Sequence, residues 1–434
     1  MSTANGHEIV IDTTNHPRWG ALSSSDREAI DRFETELRRV QNGQMEERVF
    51  LEFRLRHGVY GQRQEGVQML RIKIPLGRLS LEQMRVLADL SEEYAVGISH
   101  VTTRQDIQMH YIDINDTPDM MRRLAEVGIT TKEACGNVVR NVCACPCSGV
   151  CPTETFDTTP YAQAMADFLL GHPDGQNFGR KFKIAFSGCE QEACGLAILH
   201  DIGAIAKTRV VDGETQHGFK VYLGGCLGAV PHKAKVYSEF VPVEDMLPLS
   251  QAISRVFARL GEKRNRARAR FKFVVAKLGI DELRDALDEE LAKLKHDPAW
   301  TAYLEDARAF EEKPKKGPST LDLASTSEDF QRWFESNVSA QKHEGYSMAT
   351  VFLPLGDITA DQLRRLADKL ESYVGDHIRL TVEQNLVVRW ISNEDLPALY
   401  QDLVELKLDL VGSEHLADIT ACPGTDSCKL GIVS

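Results

Sequence analysis

Several things are missing from this 434-residue chain, and each absence narrows what it can be. No apolar run approaches the ~20 residues of a membrane span, so no membrane partner is expected. The start, Met1-Ser-Thr-Ala-Asn-Gly-His-Glu, lacks the basic residues and apolar stretch of a secretion signal, and a cytoplasmic protein is expected. Positive charge is short: 51 Lys and Arg against 64 Asp and Glu leave a net −13, which argues against nucleic acid as a partner. It leaves room for a local basic pocket. No Gly-x-Gly-x-x-Gly follows a strand-like segment, so any electron donor must be external. Hydrophobic content of 42% and charged content of 26% are ordinary for a soluble globular chain, and the length accommodates about two to four domains.

Cysteine is plentiful. In a reducing compartment ten cysteines point to metal ligands or buried thiols rather than disulfides.

The chain repeats itself. Shifted by 279 residues, Pro75-Leu-Gly-Arg-Leu-Ser-Leu-Glu-Gln-Met-Arg-Val-Leu-Ala-Asp89 falls on Pro354-Leu-Gly-Asp-Ile-Thr-Ala-Asp-Gln-Leu-Arg-Arg-Leu-Ala-Asp368 with 8 identities in 15 positions. The register carries Thr102 onto Thr381, Gln105 onto Gln384 and Ile112 onto Ile391. Two residues shorter, it pairs Ala144-Cys145-Pro146 with Ala421-Cys422-Pro423. Such a period is too long for a solenoid and implies two copies of a domain pair, the second cut short.

Each copy opens alike. Leu70 to Leu76 alternates as a half-buried strand should. Ser80 with Gln83, and Thr359 with Gln362, form capping boxes before apolar residues at helical spacing. Ile98 to Ile112 and Ile378 to Ile391 read as strands, and Asp119 to Val127 and Leu396 to Leu406 as helices. Strand, helix, strands, helix predicts a ferredoxin-like half-domain in each copy. Between them, residues 131 to 240 hold eight of the ten cysteines. Lys181 to Phe186 and Phe219 to Leu223 read as strands there, and residues 244 to 262 and 281 to 295 as helices. Glu312-Lys-Pro-Lys-Lys-Gly-Pro-Ser319 reads as a linker.

Four cations stand out: Arg104 on an expected strand, Arg140, and Lys181 with Lys183. Alternation places both lysines on one face and Phe182 on the other. Adjacent cations repel, and an anion between them would offset that. Lysines also guard solvated strand edges, and that alternative stays open from these residues alone. The second copy carries Glu383 where the first has Arg104, so the position serves one copy only. Among the cysteines, Cys143-x-Cys145-x-Cys147-x3-Cys151 has tighter spacing than zinc sites use. Cys189-x4-Cys194 ends at an expected helix start, where a thiolate is favoured. Cys422-Pro-Gly-Thr-Asp-Ser-Cys428 is the stronger signal, a short loop able to wrap a cluster edge with two of the four thiolates required.

Taken together, Thr102-Thr-Arg-Gln-Asp-Ile-Gln108, Arg140-Asn-Val142, Arg180-Lys-Phe-Lys183, Ser187-Gly-Cys189, Gly224-Gly225 and Thr420-Ala-Cys-Pro-Gly-Thr-Asp-Ser-Cys-Lys-Leu-Gly431 resemble the sirohaem-containing nitrite and sulfite reductase family, in the family's order from about residue 65 on. The resemblance implies an α+β protein: ferredoxin-like half-domains plus an α/β sirohaem/4Fe-4S domain, duplicated, with the second copy incomplete. It implies an N-terminal extension over 1–64, half-domains at 65–130 and 341–410, a sirohaem/Fe-S-type domain at 131–310, a linker at 311–340, and the start of a second such domain at 411–434.

Its implied activity is six-electron reduction of nitrite to ammonia or of sulfite to sulfide. The implied cofactors are sirohaem and a 4Fe-4S cluster, and the implied donor is a ferredoxin or flavoprotein. Arg104, Arg140, Lys181 and Lys183 take catalytic roles by this resemblance and also bind sirohaem or the anionic substrate. Gln105, Gln108 and Asn141 join them as cofactor-binding residues, and Cys422 and Cys428 hold two cluster corners. The family's second pair, Cys-x3-Cys, is absent before Ser434. Expected explanations are a truncated chain, a non-catalytic relative completed by a second chain, or an electron-transfer module using Cys143 to Cys194.

Overall fold

The computed structural model describes residues 24–191 and 194–432, so the first part of the expected N-terminal extension lies outside the described residues. Fifteen strands fall into three groups of five in chain order. The first half-domain supplies β1 (Val59–Gly61), β2 (Val67–Ile72), β3 (Arg78–Ser80), β4 (Ile98–Val101) and β5 (Ile107–Asp113). The middle segment supplies β6 (Val139–Ala144), β7 (Phe182–Ser187), β8 (Ile202–Val211), β9 (Glu214–Leu223) and β10 (Lys235–Pro242). The second half-domain supplies β11 (Val338–Ala340), β12 (Tyr346–Val351), β13 (Asp357–Thr359), β14 (His377–Leu380) and β15 (Leu386–Ser392).

The two half-domains exchange a strand. Their sheets run β1-β2-β5-β4-β13 and β11-β12-β15-β14-β3, so β13 of the second copy closes the first copy's sheet against β4, and β3 returns the favour against β14. Each exchanged strand leads into a helix, α1 (Leu81–Tyr94) or α2 (Ala360–Leu370), with the expected capping box in place. Both capping glutamines reach further: Gln83 donates to the Val127 carbonyl at 2.9 Å and Gln362 to that of Leu406 at 3.0 Å. The copies consequently share one core, in which Leu87, Met109, Leu366 and Val388 are wholly buried. Each such aliphatic side chain stabilises by roughly 1.5–3 kcal/mol.

Three expectations shift. The strand read over Leu70 to Leu76 stops at Ile72, and Pro75–Gly77 makes a single tight turn with Leu76 at φ 46°. Gly77 is required there: a Cβ would lie 2.4 Å from the Leu380 carbonyl, and its repeat mate Gly356 meets the Val101 carbonyl the same way at 2.7 Å. The helix read from residue 281 begins at Phe271 and turns a corner at Gly279, φ 79°. Residues 59–61, read as part of an N-terminal extension, pair with β2 and belong to the first sheet.

The middle sheet, β10-β9-β8-β7-β6, is mixed, with β6, β7 and β8 parallel. Its core packs Phe182, Phe186, Phe219 and Phe257. Among the described residues no helix is long and apolar enough to cross a membrane.

Candidate functional site

Arg104 sits in the turn between β4 and β5 rather than on a strand. Its guanidinium donates to the Asn141 carbonyl at 3.2 Å and approaches Cys143 Sγ at 3.4 Å. It also lies 2.6 Å from His200 Nε2. His200 Nδ1 is 2.8 Å from the Leu196 carbonyl, which can only accept, so Nδ1 carries the proton and Nε2 accepts from Arg104. Burial first and Arg104 second hold this imidazole well below its usual pKa, hence neutral.

Lys183 lies on β7 and Lys181 just ahead of it, while Phe182 enters the core, as alternation predicts. Among the described residues neither ammonium has a hydrogen-bond or ion-pair partner. Burial, then Arg140 and Arg270, push Lys181 down to about 8. Lys183 is depressed further, by Arg104 first and by burial and Lys181 after it. Two carboxylates sit among these cations. Asp201, fully buried, accepts the Lys183 amide and the Arg270 guanidinium, each at 2.9 Å. Asp106 is pushed up to about 6 by burial, against the pull of Arg71 and Arg104, and its Oδ1 has no partner among the described residues.

Arg140 is committed to the backbone. Its nitrogens donate to the carbonyls of Ala134 at 3.0 Å and of Gly136 at 3.0 and 3.1 Å, and burial lowers it to about 10. Gln105 is fully buried and clamps Ala144, accepting its amide at 3.1 Å and donating to its carbonyl at 2.9 Å. Asn141 donates to the carbonyls of Ile74 and Arg104 at 2.7 and 3.0 Å, leaving Oδ1 buried and unpartnered among the described residues. Gln108, with its amide turned, accepts from Arg71 at 2.5 and 3.0 Å. In this structure, then, Gln105, Asn141 and Gln108 are held by protein neighbours. Arg104, Lys181 and Lys183 supply positive charge beside them.

Cys422 is exposed and Cys428 partly so. Their loop, with one tight turn at Gly424–Asp426, is tied to the first copy: Arg63 donates its amide to Ser427 at 2.9 Å, and Tyr111 its hydroxyl to Asp426 at 3.2 Å. The expected helix start at Cys194 is only a turn leading into one 3-10 turn at Ala197–Leu199. His200, Asp201 and Arg270 escaped the sequence reading because no spacing links them to residue 104. Lys73, within the alternating run of Leu70 to Leu76, is buried, and burial lowers its pKa.

Fold and site together define a duplicated α+β protein with half-buried cations gathered about the amino ends of β6 and β7. Family models match the domains of this fold. "Nitrite/Sulfite reductase ferredoxin-like half domain" matches residues 60–127 and 339–406, and "Nitrite and sulphite reductase 4Fe-4S domain" matches 135–295. The chain belongs to the nitrite and sulfite reductase family. It is 28% identical over 391 residues to sulfite reductase [ferredoxin] 1 of Mycolicibacterium paratuberculosis, across 86% of this chain and 65% of that protein. It is 28% identical over 382 residues to the chloroplastic ferredoxin–nitrite reductase of Arabidopsis thaliana, across 85% and 60%. The solved structure of Mycobacterium tuberculosis NirA superposes with a TM-score of 0.74 at 25% identity, covering 96% of this chain and 76% of that one. The chain thus spans less than two thirds of the length of these two curated relatives.

Proposed function

We propose that this chain works in the six-electron reduction of nitrite to ammonia or of sulfite to sulfide, with electrons supplied by a ferredoxin. One observation carries the reading: the half-buried Lys183 stands close to Arg104, Lys181 and Arg270, and Asp201, already hydrogen-bonded to Arg270, is the one carboxylate near it that offsets their charge. Repelling cations held in place without a partner fit a polyanionic ligand, and the carboxylate-rich sirohaem and a small oxyanion are such ligands. Cys422 and Cys428 are suited to two corners of a 4Fe-4S cluster. Bound sirohaem and cluster would supply the electron transfer to the substrate.

The chain's own residues would do the rest. Arg104, oriented by His200, presents a fixed guanidinium to oxyanion charge. Lys183 and Lys181 hold protons that can be given to a substrate oxygen, and their depressed pKa values make that donation easier. Asn141 and Gln105 fix the backbone that carries these groups, which limits reorganisation during turnover.

The test uses the anaerobically purified protein with its cofactors. Lys183→Met is expected to cut turnover by about 10²–10³-fold with sirohaem still bound, whereas normal turnover would sink the assignment. A second readout needs no activity. Lys181 has a folded pKa of about 8 against an unfolded value of about 10.4, so the unfolded state binds more protons between them and ligand-free stability rises with pH across that window. A bound polyanion raises the folded pKa and flattens the rise. An equal slope with and without sirohaem would show that the group binds elsewhere.

A further inference from the structure

We infer that the electron donor, a small acidic iron–sulfur protein, docks on a cationic surface built from residues 259–277 and the neighbouring loop at residues 227–230. The inference rests on the proposed reductase reading, which needs an external one-electron carrier. In a chain of net charge −13, residues 259–277 hold eight Lys and Arg against a single carboxylate, Glu262. Six of the eight, Arg259, Lys263, Arg264, Arg266, Arg268 and Lys277, are exposed. Among the described residues only Arg259 of these six is in an ion pair, with Glu290 at 3.4 Å. A field of one sign draws in an oppositely charged partner and speeds its encounter.

The surface is ordered before any partner arrives. The Glu262 carboxylate accepts the amides of Arg264 at 2.6 Å and Asn265 at 2.9 Å, and those bonds hold its pKa below the usual range. The Asn265 side chain accepts the Ala267 amide at 3.1 Å, closing a tight turn at Arg266–Arg268. The one carboxylate thus shapes the backbone that presents the cations, and a loop already in shape lowers the ordering cost of binding. Arg259, Lys263, Arg264, Arg268 and Lys277 converge on one open groove of about 680 Å³.

Apolar side chains stand among these charges. Leu227, Val230 and Leu260 are 61%, 53% and 40% exposed. The loop carrying the first two is tied to the cationic segment: Lys272 donates its ammonium to the Val230 carbonyl, and the His232 ring meets the Phe273 ring edge-on at 5.8 Å. Arg268 lies over that same Phe273 ring at 5.2 Å. Apolar contacts inside a charged rim match the make-up of a protein interface, and a free oxyanion has no use for them. The acidic remainder of the chain repels a long polyanion such as DNA.

Position singles out an electron donor among acidic proteins. A Cβ at Gly179 would lie 1.9 Å from the Glu262 carbonyl, so the cationic loop packs directly on the segment that leads into Lys181. Arg270 bonds Asp201 at 2.9 Å, and Asp201 accepts the Lys183 amide at 2.9 Å. Burial first, then Arg266 and Arg270, lower the pKa of Arg180, which places Arg180 between the exposed cations and the half-buried ones. Positive charge therefore runs from the surface to the groups proposed to meet the substrate. A carrier seated here stands beside them.

The test uses the protein with its cofactors and a purified acidic 2Fe-2S ferredoxin. Lys263→Glu with Arg266→Glu is expected to raise the KM for reduced ferredoxin by about tenfold or more, with turnover from reduced methyl viologen unchanged. Arg332→Glu, exposed on the second half-domain, should change neither. Oxidised ferredoxin, titrated calorimetrically without turnover, should bind the wild type more weakly as salt rises and the paired variant weakly at every salt concentration. A ferredoxin KM equal to that of the wild type overturns the inference. So does an equal loss with viologen, which would place these cations in substrate handling, and so does duplex DNA that binds the loop more tightly than ferredoxin. Lys277→Glu with Arg264→Glu applies the same criterion if the first pair fails to fold by circular dichroism. The two readings fail apart. Salt-dependent ferredoxin binding by a chain inactive with every donor would sink the reductase reading alone, and viologen-driven turnover without ferredoxin binding would sink the docking surface alone.

Discussion

The two copies share a backbone and differ in chemistry. Their helices α1 and α2 carry reciprocal ion pairs, Arg85 with Asp368 and Glu371, Arg364 with Asp89 and Glu92, each residue 279 from its mate. Thr102 accepts the Asp106 amide and Thr381 the Asn385 amide, both at 3.1 Å. Where chemistry is concerned the symmetry lapses. Arg104 faces the cationic pocket, whereas Glu383 fills the matching turn as a carboxyl raised by burial. His100 and His110 in the first copy correspond to Arg379 and Arg389 in the second, and both arginines converge on Glu312 at 2.9 and 2.6 Å. Duplication thus kept what orders the backbone and released what binds ligands. Shared elements fix hydrogen bonds that any copy needs, whereas the cations gather on one copy only.

The sharpest way to break this comparison is Glu312→Ala. It strands two buried guanidiniums that the first copy does not possess, and a loss of roughly 3–5 kcal/mol is expected in chemical denaturation. Burial works against the Glu312 charge, yet Arg379 and Arg389 hold its carboxyl below the usual range. Its contribution is therefore complete above the unfolded glutamate pKa of about 4.3 and is lost as pH falls through the lower folded value. An acid-unfolding midpoint unmoved by Glu312→Gln would refute the triad's role.

Next in size are the clamps. Gln384 accepts the Ala421 amide at 2.6 Å and donates to its carbonyl at 2.9 Å, as Gln105 does with Ala144, and Gln105→Ala and Gln384→Ala, each leaving those backbone groups unpaired, should cost about 1–3 kcal/mol apiece. Near-equal losses would show that the copies are equivalent in folding, and a large inequality that one clamp is vestigial. Smallest is the surface: Arg85→Ala and Arg364→Ala, whose pairs are substantially exposed, should each shift stability by about 1 kcal/mol or less, and less still at high salt.

Much of the frame could be read residue by residue. Ser80 with Gln83 and Thr359 with Gln362 announced helix starts because a capping box is complete within four residues, and the structure forms both. Lys181-Phe182-Lys183 announced its faces by alternation. The exchange of β3 and β13 left no such mark: three-residue strands carry too little pattern, and their partners lie far away in sequence. Gln105, Asn141 and Arg140 were expected at the site, and their bonds to backbone carbonyls depend on loops that only folding brings near. Glu312, placed in a polar linker, proved half-buried between two arginines for the same reason.

By itself, the sequence determined the duplication, the half-domain pattern, the family and the cationic character of one copy, because periodicity, caps and motif spacing are local. Only the tertiary structure decided that the copies exchange strands, that His200 holds Arg104 while Asp201 anchors Arg270, and that Glu312 joins Arg379 to Arg389. Those contacts join residues dozens to hundreds apart, and their existence depends on shared burial, which no local spacing records.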